Sequence, residues 1–231
     1  SGMLAGGTAS QVIGSTIRPA SYCGAFGFKP SVGGINRGGS FDGFSQSCTG
    51  VIAATLTDTW VMAREMSSRA GGDAGYVGLT GPMTLPSASK PKTVALLQTA
   101  GWDLATDDAK QQLQSARDTL EAASINVIDR SNNAAVETAE QAIAESNPLS
   151  RGINAWEGRW PLNTYARDMD ANKLSESARE RLAESEAMSQ DEFRGMLERR
   201  NEVRAIFAKM ADYCDVCVTL AAPDAAPEGL G

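Results

Sequence analysis

The most informative segment of the 231-residue chain reads SQVIGSTIRPASYCGAFGFKP and occupies residues 10–30. It lies in a part of the chain that is rich in glycine, because 12 of the 23 glycines fall within the first 50 residues. Glycine permits tight turns and lets a backbone approach a ligand closely. We therefore expect the front of the chain to be turn-rich and irregular.

Aligned without gaps, this segment resembles the core motif of the amidase signature family. Ser15 falls on the family's nucleophilic serine and Gln11 on its Asp/Gln position. Seven further positions match the motif: Arg18, Pro19, Ala20, Gly24, Gly27, Lys29 and Pro30. The likeness continues through residues 34–39 and 44–58 and, more loosely, to CDVCVTLAAP at 214–223. The first 60 residues carry its specific part.

The resemblance implies that Ser15 is a catalytic nucleophile that forms an acyl intermediate. A serine hydroxyl is a weak nucleophile until a base removes its proton, and the oxyanion that results needs donors aimed at it. Gly14 lets neighbouring backbone N–H groups turn toward that oxyanion. The expected oxyanion-hole donors are the N–H groups of Val12, Ile13, Gly14 and Ser15, each worth about 3 kcal/mol in the transition state.

The base in this family is a lysine that acts through a second serine held in a cis peptide. Both precede the nucleophile, in segments that this chain does not contain, so Ser15 is the one catalytic residue expected here. Lys29 is not expected to replace the missing lysine. Gln11 and Arg18 are expected to support the loop, with carboxylates fixing the Arg18 guanidinium. The chain resembles the middle and later part of an amidase cut at both ends, and alone it is expected to be inactive.

Three functions stay open at this point. The first is an amidase that hydrolyses a carbon–nitrogen amide bond. The second is the A-type subunit of a glutamine-dependent tRNA amidotransferase, which resembles the same family. The third is a non-catalytic, truncated family member, which is favoured slightly because Ala9, Ser10 and Ile13 depart from the family's usual residues.

Composition excludes several kinds of chemistry. The chain contains no histidine, so it cannot itself supply a Ser-His-Asp or Cys-His arrangement or a histidine-based zinc or iron site. A formal charge of −7 without a Lys/Arg cluster argues against nucleic acid as a partner, and no apolar run is long enough for a membrane span. No metal or cofactor is implied. The expected partner is a small-molecule amide, with a homodimer left open.

The four cysteines are too few for a disulfide framework in a chain of this length, which favours a reducing, cytoplasmic location. Cys214 and Cys217 have the spacing of a redox or metal-binding pair. Zinc would need four ligands, and the other two cysteines, Cys23 and Cys48, are far away in sequence. We therefore expect Cys214 and Cys217 to be small buried thiols where a helix meets a strand.

The expected fold class is α/β: a mixed sheet surrounded by helices, as in the amidase signature fold, incomplete in this chain and with the Ser15 loop near the centre of the sheet. Residues 1–231 are expected to form one partial amidase domain. Its signature and nucleophile segment covers residues 1–60, and a mainly helical part covers residues 61–231.

The helical part contains a strand–helix–strand pattern. Thr93–Leu97 and Ile125–Ile128 are short apolar runs typical of buried strands, and apolar residues between them recur at helical spacing. This pattern implies a βαβ unit with parallel pairing. Further helices are expected at about 55–69, 134–145, 153–168, 174–186 and 191–211, and a last strand at 215–220. The final helix has a capping box at Ser189 and Glu192 and an apolar stripe that we assign to packing.

Overall fold

Two three-stranded sheets organise the chain, one antiparallel and one parallel. The computed structural model describes residues 3–40 and 45–229. Its strands are β1 (Gly6–Gln11), β2 (Phe26–Phe28), β3 (Cys48–Ala53), β4 (Thr93–Leu96), β5 (Asn126–Ile128) and β6 (Val216–Val218). Its helices are α1 (Ile17–Tyr22), α2 (Leu56–Ala70), α3 (Asp107–Ala122), α4 (Ala134–Ile143), α5 (Ser146–Asp168), α6 (Glu176–Ala187) and α7 (Gln190–Ala208).

The antiparallel sheet has the order β1–β3–β2. Gly6 pairs with Ala53 and Gln11 with Cys48, so β1 is extended and paired along its whole length. The expectation of an irregular front is wrong here, because a ladder to a distant strand stabilises glycine and serine that have little β propensity of their own. The expected position of the Ser15 loop near the sheet's centre is also wrong, since β1 lies at an edge of this sheet.

Helix α2 packs on the antiparallel sheet and confirms the helix expected at 55–69. Thr55 caps its start by accepting a hydrogen bond from the Asp58 N–H at 3.0 Å. The helix ends before Gly71, whose φ of +72° belongs to the left-handed region that favours glycine. The core beneath it consists of Ile35, Val51 and Ala63, with Phe28, Met62, Met66 and Leu79 packed around them.

The parallel sheet has the order β5–β4–β6 and confirms the predicted βαβ unit, which consists of β4, α3 and β5. Neighbouring residues of β4 face opposite sides of the sheet, as the pleat requires. Val94 and Leu96 pack with Leu113 on the side of α3. Ala95 packs with Val136 on the side of α4, α7 and the turn that follows α7. Helices therefore cover both faces of this sheet, which confirms the α/β class.

Helix α5 begins at Ser146 rather than at residue 153. Pro148 lies in its first turn, where the missing backbone N–H would have no helical partner in any case. Gly152 faces α7, because an added Cβ would lie 2.7 Å from Met196 Sδ. Proline and glycine often interrupt helices, but here Pro148 permits a helix start and Gly152 a close helix–helix contact.

Helix α7 has the predicted capping box, since the Ser189 and Glu192 side chains each bond the other residue's backbone N–H. Phe193 stacks on Trp156 with ring centroids 5.1 Å apart. Phe207 and Met210 contribute to the cluster beneath β4. These contacts support the assignment of the apolar stripe to packing. No helix among the described residues is long and apolar enough to cross a membrane.

Candidate functional site

The loop of residues 12–15, here called the nucleophile loop, connects β1 to α1. Gln11, the last residue of β1, is buried, and its side-chain oxygen accepts hydrogen bonds from the N–H groups of Thr16 (2.7 Å) and Ile17 (3.0 Å). The first N–H groups of a helix have no partner within the helix, and Gln11 satisfies two of them here. One side chain therefore ties the end of the strand to the start of the helix.

Gly14 turns the nucleophile loop. Its φ is +74°, and an added Cβ would meet nothing within 4 Å. Glycine is therefore favoured here by backbone conformation and not by lack of space. The Gly14 carbonyl then accepts a hydrogen bond from the Arg18 N–H at 2.9 Å, which begins the helical pattern.

The nucleophile loop presents unused hydrogen-bond donors. Within the described residues, the backbone N–H groups of Val12, Ile13, Gly14 and Ser15 donate no hydrogen bond. The Ser15 side chain is exposed, and its hydroxyl has no partner within the same residues. The loop thus combines a serine hydroxyl without a described partner with four consecutive unpaired donors, and a nucleophile and oxyanion donors are two of the parts that an acyl-transfer site needs.

Two glycines, Gly27 and Gly50, let α1 pack closely against the sheet. An added Cβ on Gly50 would lie 2.8 Å from the Phe28 carbonyl oxygen and 2.9 Å from Thr16 Cγ2. One on Gly27 would lie 2.8 Å from Ala20 Cβ. Thr16 is fully buried in this contact. The start of α1, and with it the nucleophile loop, is fixed by close packing against β2 and β3.

Arg18 lies on the exposed surface of α1 and forms no ion pair in the part of the chain that the structure describes. No described carboxylate therefore holds its guanidinium, and the expectation that carboxylates fix it stays a prediction. Lys29 is occupied elsewhere, because its Nζ donates to the Pro30 carbonyl oxygen at 3.0 Å and contacts Cys48 Sγ at 3.3 Å. Within the described residues, neither side chain forms a hydrogen bond with Ser15.

A cavity of about 470 Å³, here called the loop cavity, opens beside the nucleophile loop. It is lined by Val12, Ile13, Gln46, Thr99, Ala100, Gly101, Ile143, Ser146, Asn147, Leu149, Ser150, Arg200, Val203 and Arg204. These residues come from the nucleophile loop, the segments before β3 and after β4, the end of α4, the start of α5 and the middle of α7. A second cavity of about 480 Å³ lies between β4 and α3, and none of residues 11–18 lines it. The loop cavity is therefore the candidate substrate site.

Arg200 contributes a positive charge to the wall of the loop cavity. Its Nη1 donates to Ser45 Oγ at 2.5 Å, and the Ser45 N–H in turn donates to Glu157 Oε2 at 2.6 Å. Burial and the neighbouring Arg204 lower the pKa of the Arg200 guanidinium, while Glu157 raises it. Arginine remains protonated in proteins, so this wall is cationic.

Glu140 of α4 helps to position the segment after β4. It is 6% exposed, and its Oε1 accepts a hydrogen bond from the Gln98 N–H at 2.6 Å. Arg130 approaches the other carboxylate oxygen at 3.5 Å. Burial raises the pKa of this carboxyl, although the Gln98 hydrogen bond and the Arg130 charge oppose the shift. Gln98 immediately precedes Thr99–Gly101, which line the loop cavity.

Cys214 and Cys217 lie together with their sulfur atoms 3.7 Å apart, and both are free thiols. Cys214 packs against the cluster beneath β4, whereas Cys217 is exposed, which corrects the expectation that both are buried. Burial of the Cys217 sulfur and the neighbouring thiol raise its pKa to about 11, so it stays protonated at neutral pH. Within residues 3–40 and 45–229, no group of three or more His, Cys, Asp or Glu residues could hold a metal ion.

The chain matches a family model described as Amidase over residues 1–229. A solved structure of an amidase has 16% sequence identity and a TM-score of 0.76, and the match covers 96% of this chain and 46% of that chain. A bacterial aryl acylamidase of the amidase signature enzymes has 12% identity and a TM-score of 0.68, with 94% and 46% covered. A comparison with curated proteins gives no match.

A third solved structure, a 6-aminohexanoate cyclic dimer hydrolase complexed with substrate, has 15% identity and a TM-score of 0.67. That match covers 91% of this chain and 45% of the other. The chain thus spans less than half the length of each of these three proteins. At these identities the likeness establishes a shared fold.

Proposed function

This chain belongs to the amidase family, and from that premise we propose that it carries the nucleophile and oxyanion hole of an enzyme that hydrolyses carbon–nitrogen amide bonds. The observation that carries the proposal is the nucleophile loop, in which an exposed serine hydroxyl adjoins four unpaired backbone N–H groups. The loop cavity beside it gives an amide substrate room to bind.

The reaction begins when Ser15 Oγ attacks the amide carbonyl carbon and its proton passes to a base. The carbonyl oxygen becomes an oxyanion that the N–H groups of Val12, Ile13, Gly14 and Ser15 stabilise. The carbon–nitrogen bond then breaks, and ammonia or an amine leaves with a proton. Water hydrolyses the acyl–Ser15 ester, releases a carboxylic acid and restores the hydroxyl.

The base is the part of the mechanism that the described residues do not supply, because no lysine or other basic group among them forms a hydrogen bond with Ser15. We propose that it is the family's lysine acting through a cis-serine, both contributed by sequence outside these 231 residues. Without them, the Ser15 hydroxyl keeps the low reactivity of an ordinary serine, and the 231-residue chain alone hydrolyses no amide.

A non-catalytic family member is the alternative that an observation favours. Ile13 stands where the family motif has a glycine, and its side chain is 43% exposed and lines the loop cavity. A side chain at this place narrows the approach to the unpaired N–H groups. The alternative predicts a protein that binds an amide without cleaving it.

Ser15→Ala separates these functions when ammonia release is measured on the full natural polypeptide that contains this chain. The variant is expected to lose hydrolysis by at least about 1,000-fold, because covalent catalysis ends with the hydroxyl. Ser21→Ala is the matched control, since Ser21 is an exposed serine of α1 outside the loop. Equal rates for wild type and Ser15→Ala contradict the proposal, and a wild type without hydrolysis of any amide favours the non-catalytic alternative.

A further inference from the structure

The loop cavity is cationic although the chain as a whole is anionic. Its lining includes two guanidinium groups, Arg200 and Arg204, and no carboxylate, whereas the chain carries a formal charge of −7. Neither arginine forms an ion pair with a residue in the described ranges. A cavity with this charge attracts anions and disfavours cations.

Arg200 has hydrogen-bonding capacity left over. One of its three nitrogens, Nη1, bonds Ser45 Oγ. Its Nε is buried without a hydrogen-bond partner, and Nη2 donates no hydrogen bond within the described residues. Buried donors without partners are rare in folded proteins because each costs free energy. With Nη1 held by Ser45, the Nη2 group of this guanidinium is left to donate to a carboxylate oxygen in the cavity.

The position of Arg200 relates this capacity to the chemistry at Ser15. Arg200 lines the same cavity as Val12 and Ile13 of the nucleophile loop. Apolar side chains of Ile143, Leu149 and Val203 line the same space. A ligand that places its carbonyl group at the loop can therefore extend a short apolar chain through the cavity and end at the guanidinium.

We propose that Arg200 binds a carboxylate of the substrate, so that the enzyme acts on amides that carry a carboxylate at the end of a short aliphatic chain. The proposal rests on the proposed hydrolysis at Ser15. Arg204 adds to the positive potential of the site, and Ser45 holds the Arg200 guanidinium in place. Hydrolysis of such a half-amide yields a dicarboxylate.

The test compares two ligands of nearly equal shape. Glutaramate has one amide and one carboxylate, and glutaramide has an amide at each end. Their affinities are measured by calorimetry on the full natural polypeptide with Ser15→Ala, which prevents turnover. Glutaramate is expected to bind about 10- to 100-fold more tightly than glutaramide, as a hydrogen bond to a charged group predicts. Equal affinities, or no binding of either ligand, overturn the proposal.

Adding Arg200→Gln is expected to remove most of the preference for glutaramate. Arg194→Gln is the matched control, because Arg194 lies on the same helix, is 68% exposed and pairs with Asp191 outside the cavity. It should leave the preference unchanged. If the preference survives Arg200→Gln in a folded protein, Arg200 does not bind the carboxylate and the proposal is wrong.

Arg200→Gln also removes the hydrogen bond between Arg200 and Ser45. Ser45→Ala removes that bond while keeping the guanidinium, so it measures the effect of the bond alone. Ser45→Ala should keep at least half of the preference expressed as a free energy, while abolition of the preference by Ser45→Ala would overturn the direct role of Arg200. Both ligand affinities are measured without catalysis. If the carboxylate proposal is wrong, glutaramate and glutaramide bind with equal affinity. If the proposed function is wrong, hydrolysis persists in Ser15→Ala.

Discussion

Single residues shape the nucleophile loop in two different ways. Gln11 acts through hydrogen bonds, because its side-chain oxygen accepts from the first N–H groups of α1. Gly14 acts through conformation, because its φ of +74° is one that other residues rarely adopt. Together they explain why the N–H groups of the loop remain unpaired while the groups that follow are satisfied.

A Gly14→Ala change tests the conformational part. The free energy of unfolding should fall by about 1–2 kcal/mol, which is the cost of a left-handed residue with a Cβ. Gly7→Ala is the control, because an added Cβ on either residue meets nothing within 4 Å and only Gly14 has a positive φ. The two free energies are measured by urea denaturation, and equal effects of the two changes would show that conformation at Gly14 is unimportant.

Among the helices and strands, α4 has a role in the site that its position in the sequence does not suggest. Its buried Glu140 accepts a hydrogen bond from Gln98 and thereby holds the segment that continues as Thr99–Gly101 in the wall of the loop cavity. Burial of a carboxylate is costly, and the raised pKa of Glu140 expresses that cost.

Glu140→Gln tests this cost through its pH dependence. A carboxyl whose pKa is raised by folding binds protons more strongly in the folded state. The free energy of unfolding that it contributes therefore falls as pH rises from the unfolded pKa through the folded pKa. The amide that replaces the carboxyl in this variant would keep an acceptor for the Gln98 N–H and have no charge to bury. Thermal melts from about pH 4 to about pH 8 should show the variant gaining stability relative to wild type as pH rises.

The control for this comparison is Glu137→Gln, one turn earlier on α4 and paired with Gln141 at 3.3 Å. It should not reproduce the pH-dependent difference. A difference between Glu140→Gln and wild type that stays constant with pH, or that shrinks as pH rises, would show that burial does not dominate the titration of Glu140.

Elements with local signals could be predicted from the sequence, and elements that depend on distant partners could not. The starts of α2 and α7 follow from caps at Thr55 and Ser189, whose partners lie three residues away. Strand β1 reads GGTASQ, and its pairing with β3 bridges about 40 residues, so nothing nearby indicates it. Helix α5 begins at Ser146, before the expected residue 153, and its first residues include Pro148 and Gly152, which have low helix propensity.

At the scale of the whole molecule, the residues of the site also fall into those that a local motif identifies and those that only folding brings together. Ser15, Gln11 and Gly14 lie in one contiguous segment, so a motif could identify them together. Arg200 joins the loop cavity from a helix more than 180 residues later, and its bond to Ser45 crosses 155 residues. Such a partner is visible only after folding has brought both halves of the chain around one cavity.

The central claim is that Ser15 is an activated nucleophile in an oxyanion-binding loop. A serine-reactive fluorophosphonate tests it most directly, applied to the full natural polypeptide and to its Ser15→Ala and Ser21→Ala variants, with intact mass and peptide mapping as the measurement. Wild type and Ser21→Ala should each gain one adduct, on the peptide that contains Ser15, and Ser15→Ala should gain none. No adduct on wild type, or an adduct that persists in Ser15→Ala, would contradict the account.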